Sequence, residues 1–180
     1  YINAIANSIK PYIENKSFDK IVFSYHGIPK RQAIKTDETG KHCFSTPNCC
    51  EVKNDGSKDC YRSHTRIASD LTAKKLGLSD EQWEIAYQSR IGPGWLTPFT
   101  DKRLAKLPEE GNNNIAILCP SFIWDCLETL EEIDIRGRET FMNAGGENMT
   151  YIPCLNDSED TVNLIENLVR ASWFNWLSKA

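Results

Sequence analysis

Three groups of residues in this chain carry the means for chemistry. His26 closes a strand-like apolar run, Ile21-Val22-Phe23, and is followed by Gly27 and Pro29, which end the strand and open a loop. Ligands of open α/β sheets collect at the carboxyl ends of strands. A side chain that titrates near neutrality therefore stands where proton transfer is done, although a lone histidine there is more often structural. Glu128 and Glu132 are four residues apart in a helical run, with Asp125 near them. Like charges on one helix face repel, so the row reads either as a solvated acidic face or as one that binds a cation or relays protons. The third group is Cys43, Cys49, Cys50 and Cys60, spaced Cys-x5-Cys-Cys-x9-Cys. Four thiolates this close could hold a tetrahedral zinc or an iron–sulfur cluster. An adjacent pair sits awkwardly on one tetrahedral ion. It suits a [2Fe–2S] cluster, in which each iron takes two cysteines. Residues 35–59 contain few large apolar side chains, so burial alone would not order them. His42 and His64 flank them as lesser ligand candidates. Cys119 and Cys154 read as small buried hydrophobes, and Cys126 as an inert core residue in preference to a soft ligand.

Strands at Ile21–Phe23, Trp83–Gln88, Ile115–Leu118 and Met149–Ile152 alternate with helices, and these elements must position the three groups. Helices are expected at the N-terminus and over Ser63–Leu76, with Ile67, Leu71 and Leu76 on a partial apolar face, and over Lys102–Leu107, Asp125–Arg136 and Asp160–Leu177. Gly77 would stop the second of these, and Asp157 or Ser158 would cap the last. A long polar loop runs from Lys30 to Asp59. The pattern predicts one α/β domain over residues 1–180, a doubly wound parallel sheet of about four strands with helices on both faces. Leu164, Leu168, Trp173, Trp176 and Leu177 lie close to one side of the last helix. Packing against the sheet is the ordinary explanation, with a dimer or membrane-surface contact as the other.

Four ordered motifs resemble the ferrochelatase family. They are Phe23-Ser24-Tyr25-His26-Gly27-Ile28-Pro29, the turn-rich stretch from Tyr87 to Pro98, Phe122 through Ile133, and Ala144-Gly145-Gly146 onward through Tyr151 to Asp157. The resemblance implies insertion of ferrous iron into protoporphyrin IX to form haem. It places His26 at the centre of catalysis, as base or iron ligand, with Glu128 as its acidic partner. Glu132 falls further along the same acidic line, and a π-helix is implied around the acids. Trp95 would line the porphyrin pocket, with Tyr25 beside it. The resemblance also implies that the chain is the second of two similar α/β halves, a fragment inactive without the first. Departures are a bulky Tyr25 where relatives often have a small residue, a shortened loop at Ile91–Trp95, and Cys126 where animal relatives often have histidine. Asp59-Cys60-Tyr61 stands for the family's Gly-Asp-Pro-Tyr, preceded by an inserted cysteine-rich segment, 35–60. Some microbial relatives carry iron–sulfur clusters on such segments. Rival readings are a cobalt or nickel chelatase of the same class, and a non-enzymatic iron–sulfur or haem-binding sensor.

A net charge of −4 provides no basic stripe for nucleic acid. No apolar run is long enough to span a membrane. Seven cysteines, an odd number, without a signal peptide point to the cytoplasm, with docking at the inner-membrane surface compatible. The first residues, Tyr1-Ile2-Asn3-Ala4-Ile5-Ala6, read as mid-helix rather than as a native start.

Overall fold

The structure, a computed structural model, describes residues 1–14, 16–52 and 54–177, the side chains of 173–177 excepted. Four strands form one sheet: β1 (Lys20–His26), β2 (Trp83–Gln88), β3 (Asn114–Leu118) and β4 (Asn148–Tyr151). The helices are α1 (Ile2–Ile13), α2 (Lys30–Lys35), α3 (Tyr61–Leu76), α4 (Thr100–Lys106), α5 (Leu127–Thr129), a π-helix over Leu130–Gly137, α6 (Arg138–Asn143) and α7 (Glu159–Leu177). Every strand pair is parallel, in the order β2-β1-β3-β4. The chain leaves β1 to one side for β2 and passes to the other side for β3. The point of reversal, where such sheets open a crevice, lies between the carboxyl ends of β1 and β3.

Alternation along the strands divides the core. Ile21, Phe23, Tyr25, Trp83, Tyr87, Ala116 and Leu118 share one cluster with Ala4, Ile5 and Ile9 of α1 and Ala73 of α3. On the other face, Val22, Ala86, Ile115, Ile117 and Met149 pack with Leu104 of α4, Ile133 of the π-helix and Phe141 of α6. Strands buried on both sides are expected to be continuous in apolar residues, which is why they are readable in the sequence.

Several expectations need correction. β1 continues three residues past Phe23, because Ser24 is buried and satisfied by Gln88 Oε1 and Thr100 Oγ1 at 2.7 and 2.8 Å. The polar loop after Pro29 begins with α2. The buried face of α3 is not Ile67 and Leu71 but Ser63, Thr65, Ser69, Thr72 and Ala73, and Leu71 is exposed. Its hydroxyls meet tyrosines from the sheet: Tyr25 Oη is 2.9 Å from Ser69 Oγ, and Tyr87 Oη is 2.9 Å from Thr65 Oγ1. Gly77 does terminate α3, with φ +71°.

The helix expected over Asp125–Arg136 is instead α5, the π-helix and α6 in succession. Ser158 caps α7 by accepting from Thr161 N at 3.3 Å. Of the face expected to be covered on α7, Leu164 packs against the core and Leu168 is exposed, as are Val162 and Val169 beside it. Trp173, Trp176 and Leu177 lie outside the described side chains. Among the described residues, no helix is long and apolar enough to cross a membrane. On the opposite flank, Arg103 of α4 makes paired hydrogen bonds to the carboxylates of both Glu84 and Glu110 at 2.7–3.0 Å.

Candidate active site

His26 is the last residue of β1, half-buried at the point of reversal in the sheet. Its peptide is held from both sides. The N–H donates to Ser121 Oγ at 2.7 Å, and the carbonyl accepts from Tyr61 Oη at 2.8 Å. The ring Nδ1 lies 2.7 Å from the Gly27 carbonyl oxygen. A carbonyl can only accept, so the proton is assigned to Nδ1 and the lone pair of the neutral ring to Nε2. Phe122 leans on the ring at a centroid distance of 5.9 Å.

The segment after His26 is tied to the loop after β2. Gly27 N donates to Gln88 O at 2.8 Å, Lys30 N to Gly94 O at 2.8 Å and Leu96 N to Ile28 O at 2.9 Å. A Cβ on Gly27 would stand 2.8 Å from the Gln88 carbonyl oxygen and 3.4 Å from the Trp95 ring, so only glycine permits this approach. Trp95, half-buried, is thereby brought beside the histidine loop.

Glu128 is exposed on α5, the short helix after β3. Its pKa is lowered by a hydrogen bond from the Cys126 thiol, by its own backbone N–H and by the nearby charge of His26. Gln88, buried at the end of β2, donates to the Glu128 carbonyl at 2.6 Å and ties α5 to the sheet. Glu132 is committed elsewhere. It accepts from Ser89 N at 2.7 Å and Ser89 Oγ at 2.6 Å, and with Arg90 and Arg136 it lines a separate cavity of about 280 Å³. That cavity is lined by neither His26 nor Glu128. The π-helix has i→i+5 bonding, so residues four apart no longer stack as they would on an α-helix.

Asp125 is a brace. Against its own burial, hydrogen bonds from Asn156, at 2.7 Å, and Tyr151, at 2.5 Å, hold its pKa down. Cys126 is half-buried at the start of α5 rather than in the core, and its thiol is pushed up by desolvation and by Glu128. Cys119 is buried, as expected, and Cys154 half-buried. Tyr25 is corrected most. It is 4% exposed and lies in the core between the sheet and α3, so its ring does not line an open pocket. Ser121 is not singled out by the sequence, and Tyr61 and Gln88 appear there only as members of motifs, without these contacts. Of these, only the polar end of the β2 run carried any local signal.

Large apolar side chains stand exposed on the segments leaving β2 and β3. Ile91 is 90% exposed and Leu127 78%, accompanied by Trp124 and Leu130. Exposed apolar surface of this kind marks a binding face.

The four cysteines are close neighbours. Cys49, Cys50 and Cys60 are buried, and Cys43 is half-buried. Asp37 orders the approach, accepting from Thr39 Oγ1 at 2.6 Å and from the N–H groups of His42 and Cys43 at 2.8 and 2.7 Å. Cys49 Sγ lies 3.9 Å from Cys50 Sγ and accepts from Phe44 N at 3.4 Å and Arg62 at 3.7 Å. Cys60, the N-cap residue of α3, interacts with the thiols of Cys50 and Cys43. These contacts, with the N–H groups of Arg62 and Ser63, lower its pKa, while the pKa of Cys50 is raised by the same interaction and by burial. The helix start and its backbone N–H donors thus favour a thiolate at Cys60, while desolvation and the neighbouring thiols push Cys43 up. His42 Nε2 is buried with no partner among the described residues, its Nδ1 facing Asn54 at 3.0 Å. His64 is engaged with the Lys58 carbonyl at 2.8 Å. Among the described residues, no three His, Cys, Asp or Glu side chains are already arranged around a single metal ion.

The family model described as Ferrochelatase matches residues 1–173. Relatives named Ferrochelatase include those of Ectopseudomonas mendocina, 42% identical over 90% of this chain and 48% of the relative, and Opitutus terrae, 41% identical over 94% and 49%. That of Azotobacter vinelandii is 37% identical over 94% and 51%. The chain thus spans about half the length of the curated relatives it matches.

Proposed function

The chain belongs to the ferrochelatase family, and from that premise we propose that it supplies the catalytic histidine and acid of an enzyme inserting ferrous iron into protoporphyrin IX. The observation that carries this reading is the lone pair assigned to His26 Nε2 at the sheet's point of reversal, with His26 near enough to Glu128 to be among the groups that lower its pKa. Insertion breaks two pyrrole N–H bonds, forms bonds from nitrogen to iron and releases two protons, with no change of oxidation state. His26 Nε2 accepts a pyrrole proton. Glu128, ionised near neutrality, stabilises the resulting imidazolium and passes the proton to solvent. Trp95, Trp124 and Leu127 offer apolar surface to the flat ring. Glu132, held by Ser89, keeps the π-helix on the sheet. The remaining length of the relatives closes the cleft from the opposite side. The test is iron insertion by the full-length protein carrying His26→Ala. We expect kcat to fall by about a hundredfold or more, and unchanged turnover would overturn the assignment.

We further infer that Cys43, Cys49, Cys50 and Cys60 hold a [2Fe–2S] cluster. The support is four neighbouring thiols, three of them buried, with Arg62 beside Cys49 and with His42 Nε2 lacking a partner among the described residues. Bound there, the cluster would staple the segment and supply a one-electron centre. Anaerobically purified protein is expected to show visible charge-transfer bands that dithionite bleaches, with two irons per chain. Colourless protein with zinc would assign a zinc site, and thiols with neither metal would remove the assignment.

A further inference from the structure

The hydrogen bonds around His26 reach the cysteine segment by a short route. Cys60 is the N-cap residue of α3, and Tyr61 is the first residue of the helix. Tyr61 extends its hydroxyl 2.8 Å to the His26 carbonyl. The other end of the same residue's backbone, His26 N–H, rests on Ser121 Oγ at 2.7 Å. The two bonds clamp the peptide: the His26 N–H donates to Ser121, and the Tyr61 hydroxyl donates to the His26 carbonyl. Both bonds leave the imidazole out, so they fix where the side chain starts without using Nε2.

We propose that Tyr61 is a positioning residue that couples the group held by the four cysteines to His26. Cys60 and Tyr61 are consecutive, so their Cα atoms are about 3.8 Å apart. The α3 start cannot shift for one without shifting for the other. With Cys60 ligated to a group that also binds Cys43, Cys49 and Cys50, the first turn of α3 is fixed and the Tyr61 hydroxyl stays on the His26 carbonyl. Without that group the turn frays, as helix ends do, and the His26 peptide loses one of its two clamps. A group that takes no part in metal insertion would then still set how well the histidine is aimed. The proposal rests on both readings above, that His26 is catalytic and that the cysteines hold a cluster.

The experiment uses the full-length protein with its native metal. Amide hydrogen exchange is followed over Phe23–Ile28 in wild type and Tyr61→Phe, before and after the metal is stripped by a chelator under reducing conditions. Visible absorption and metal content are recorded on every sample. In wild type, stripping should speed exchange in this peptide. In Tyr61→Phe, which should keep the metal and its spectrum, exchange should already be fast and stripping should add little. Its kcat should fall about tenfold, the equivalent of one lost hydrogen bond, with KM for porphyrin unchanged. Wild-type exchange in Tyr61→Phe, equal responses to stripping in both proteins, or purified protein without metal would each overturn the coupling. His26→Ala separates the two failures. If that variant still inserts iron, the reading of the site has failed. If it is inactive while Tyr61→Phe behaves as wild type, only the coupling has.

Discussion

At the scale of single residues, strand alternation decides more than motif position. Tyr25 and His26 are neighbours in sequence, yet the pleat sends them to opposite faces. Tyr25 follows Phe23 and Ile21 into the cluster beneath α3, and His26 follows Val22 and Ser24. The alternation Ile21, Phe23, Tyr25 was available in the sequence, and counting it would have moved Tyr25 from the pocket to the core. Ser121 and Tyr61 were not available. Each lies far from His26 along the chain and reaches it only through the fold. Gly27 is the residue whose replacement tests this packing best. Its missing Cβ makes room for a backbone carbonyl, and carbonyls do not move aside as flexible side chains do. Gly27→Ala should lower stability by about 1–3 kcal/mol, read as an earlier urea midpoint with an unchanged slope. A midpoint equal to wild type would mean that the loop after β1 is looser than the contact distances imply.

At the scale of elements, the strands were legible and the helices only partly so. Trp83–Gln88 agrees residue for residue, because Trp83, Ile85, Ala86 and Tyr87 make a short apolar run despite Glu84 and Gln88. α3 was placed within two residues but with the wrong face inward, since its buried side consists of serines and threonines whose hydroxyls are satisfied by tyrosines of the sheet. The acidic row was assigned α-helical stacking, and the π-helix altered its geometry. Family resemblance, not periodicity, pointed to that π-helix. α4 is fastened to β2 by Arg103, which grips Glu84 and Glu110 together, and this gives the fold a dependence on acid. The guanidinium holds the Glu110 pKa down to about 2, below the ordinary value near 4.3. A depressed carboxyl contributes stability that is complete above its unfolded pKa and is lost as pH falls through the folded one. The stability difference between wild type and Glu110→Gln should therefore be constant at neutral pH, shrink below about pH 5 and be small near pH 2. Urea titrations across that range would show it, and a difference that does not change with pH would remove the pair from the account.

At the scale of the whole molecule, the doubly wound plan was readable from the alternation of elements, and the placement of α7 was not. Apolar spacing indicated that one side of that helix should be covered, but periodicity does not say by what. Leu164 finds the core, while Val162, Leu168 and Val169 remain exposed. The apolar side chains at the carboxyl edge of the sheet are open as well, in a chain that spans about half of each relative. The catalytic assignment owed most to family resemblance. The residues alone offered a histidine at a strand end and acids in a row, and each has a commoner structural meaning.

The strand order also governs how the molecule can assemble. The sheet has no hairpin, and every pair joins strands separated by a crossover. Joining β3 to β4 closes the loop 119–147, whereas joining β1 to β2 closes the longer loop 27–82, with all four clustered cysteines inside it. Loop-closure entropy rises with the logarithm of length, about 0.6 kcal/mol for each doubling. A link between Cys43 and Cys60 shortens the path that the chain must search before β1 finds β2. A group held by the cysteines, as proposed above, would therefore act on the unfolded chain as well, by reducing its freedom before any contact in the finished structure exists.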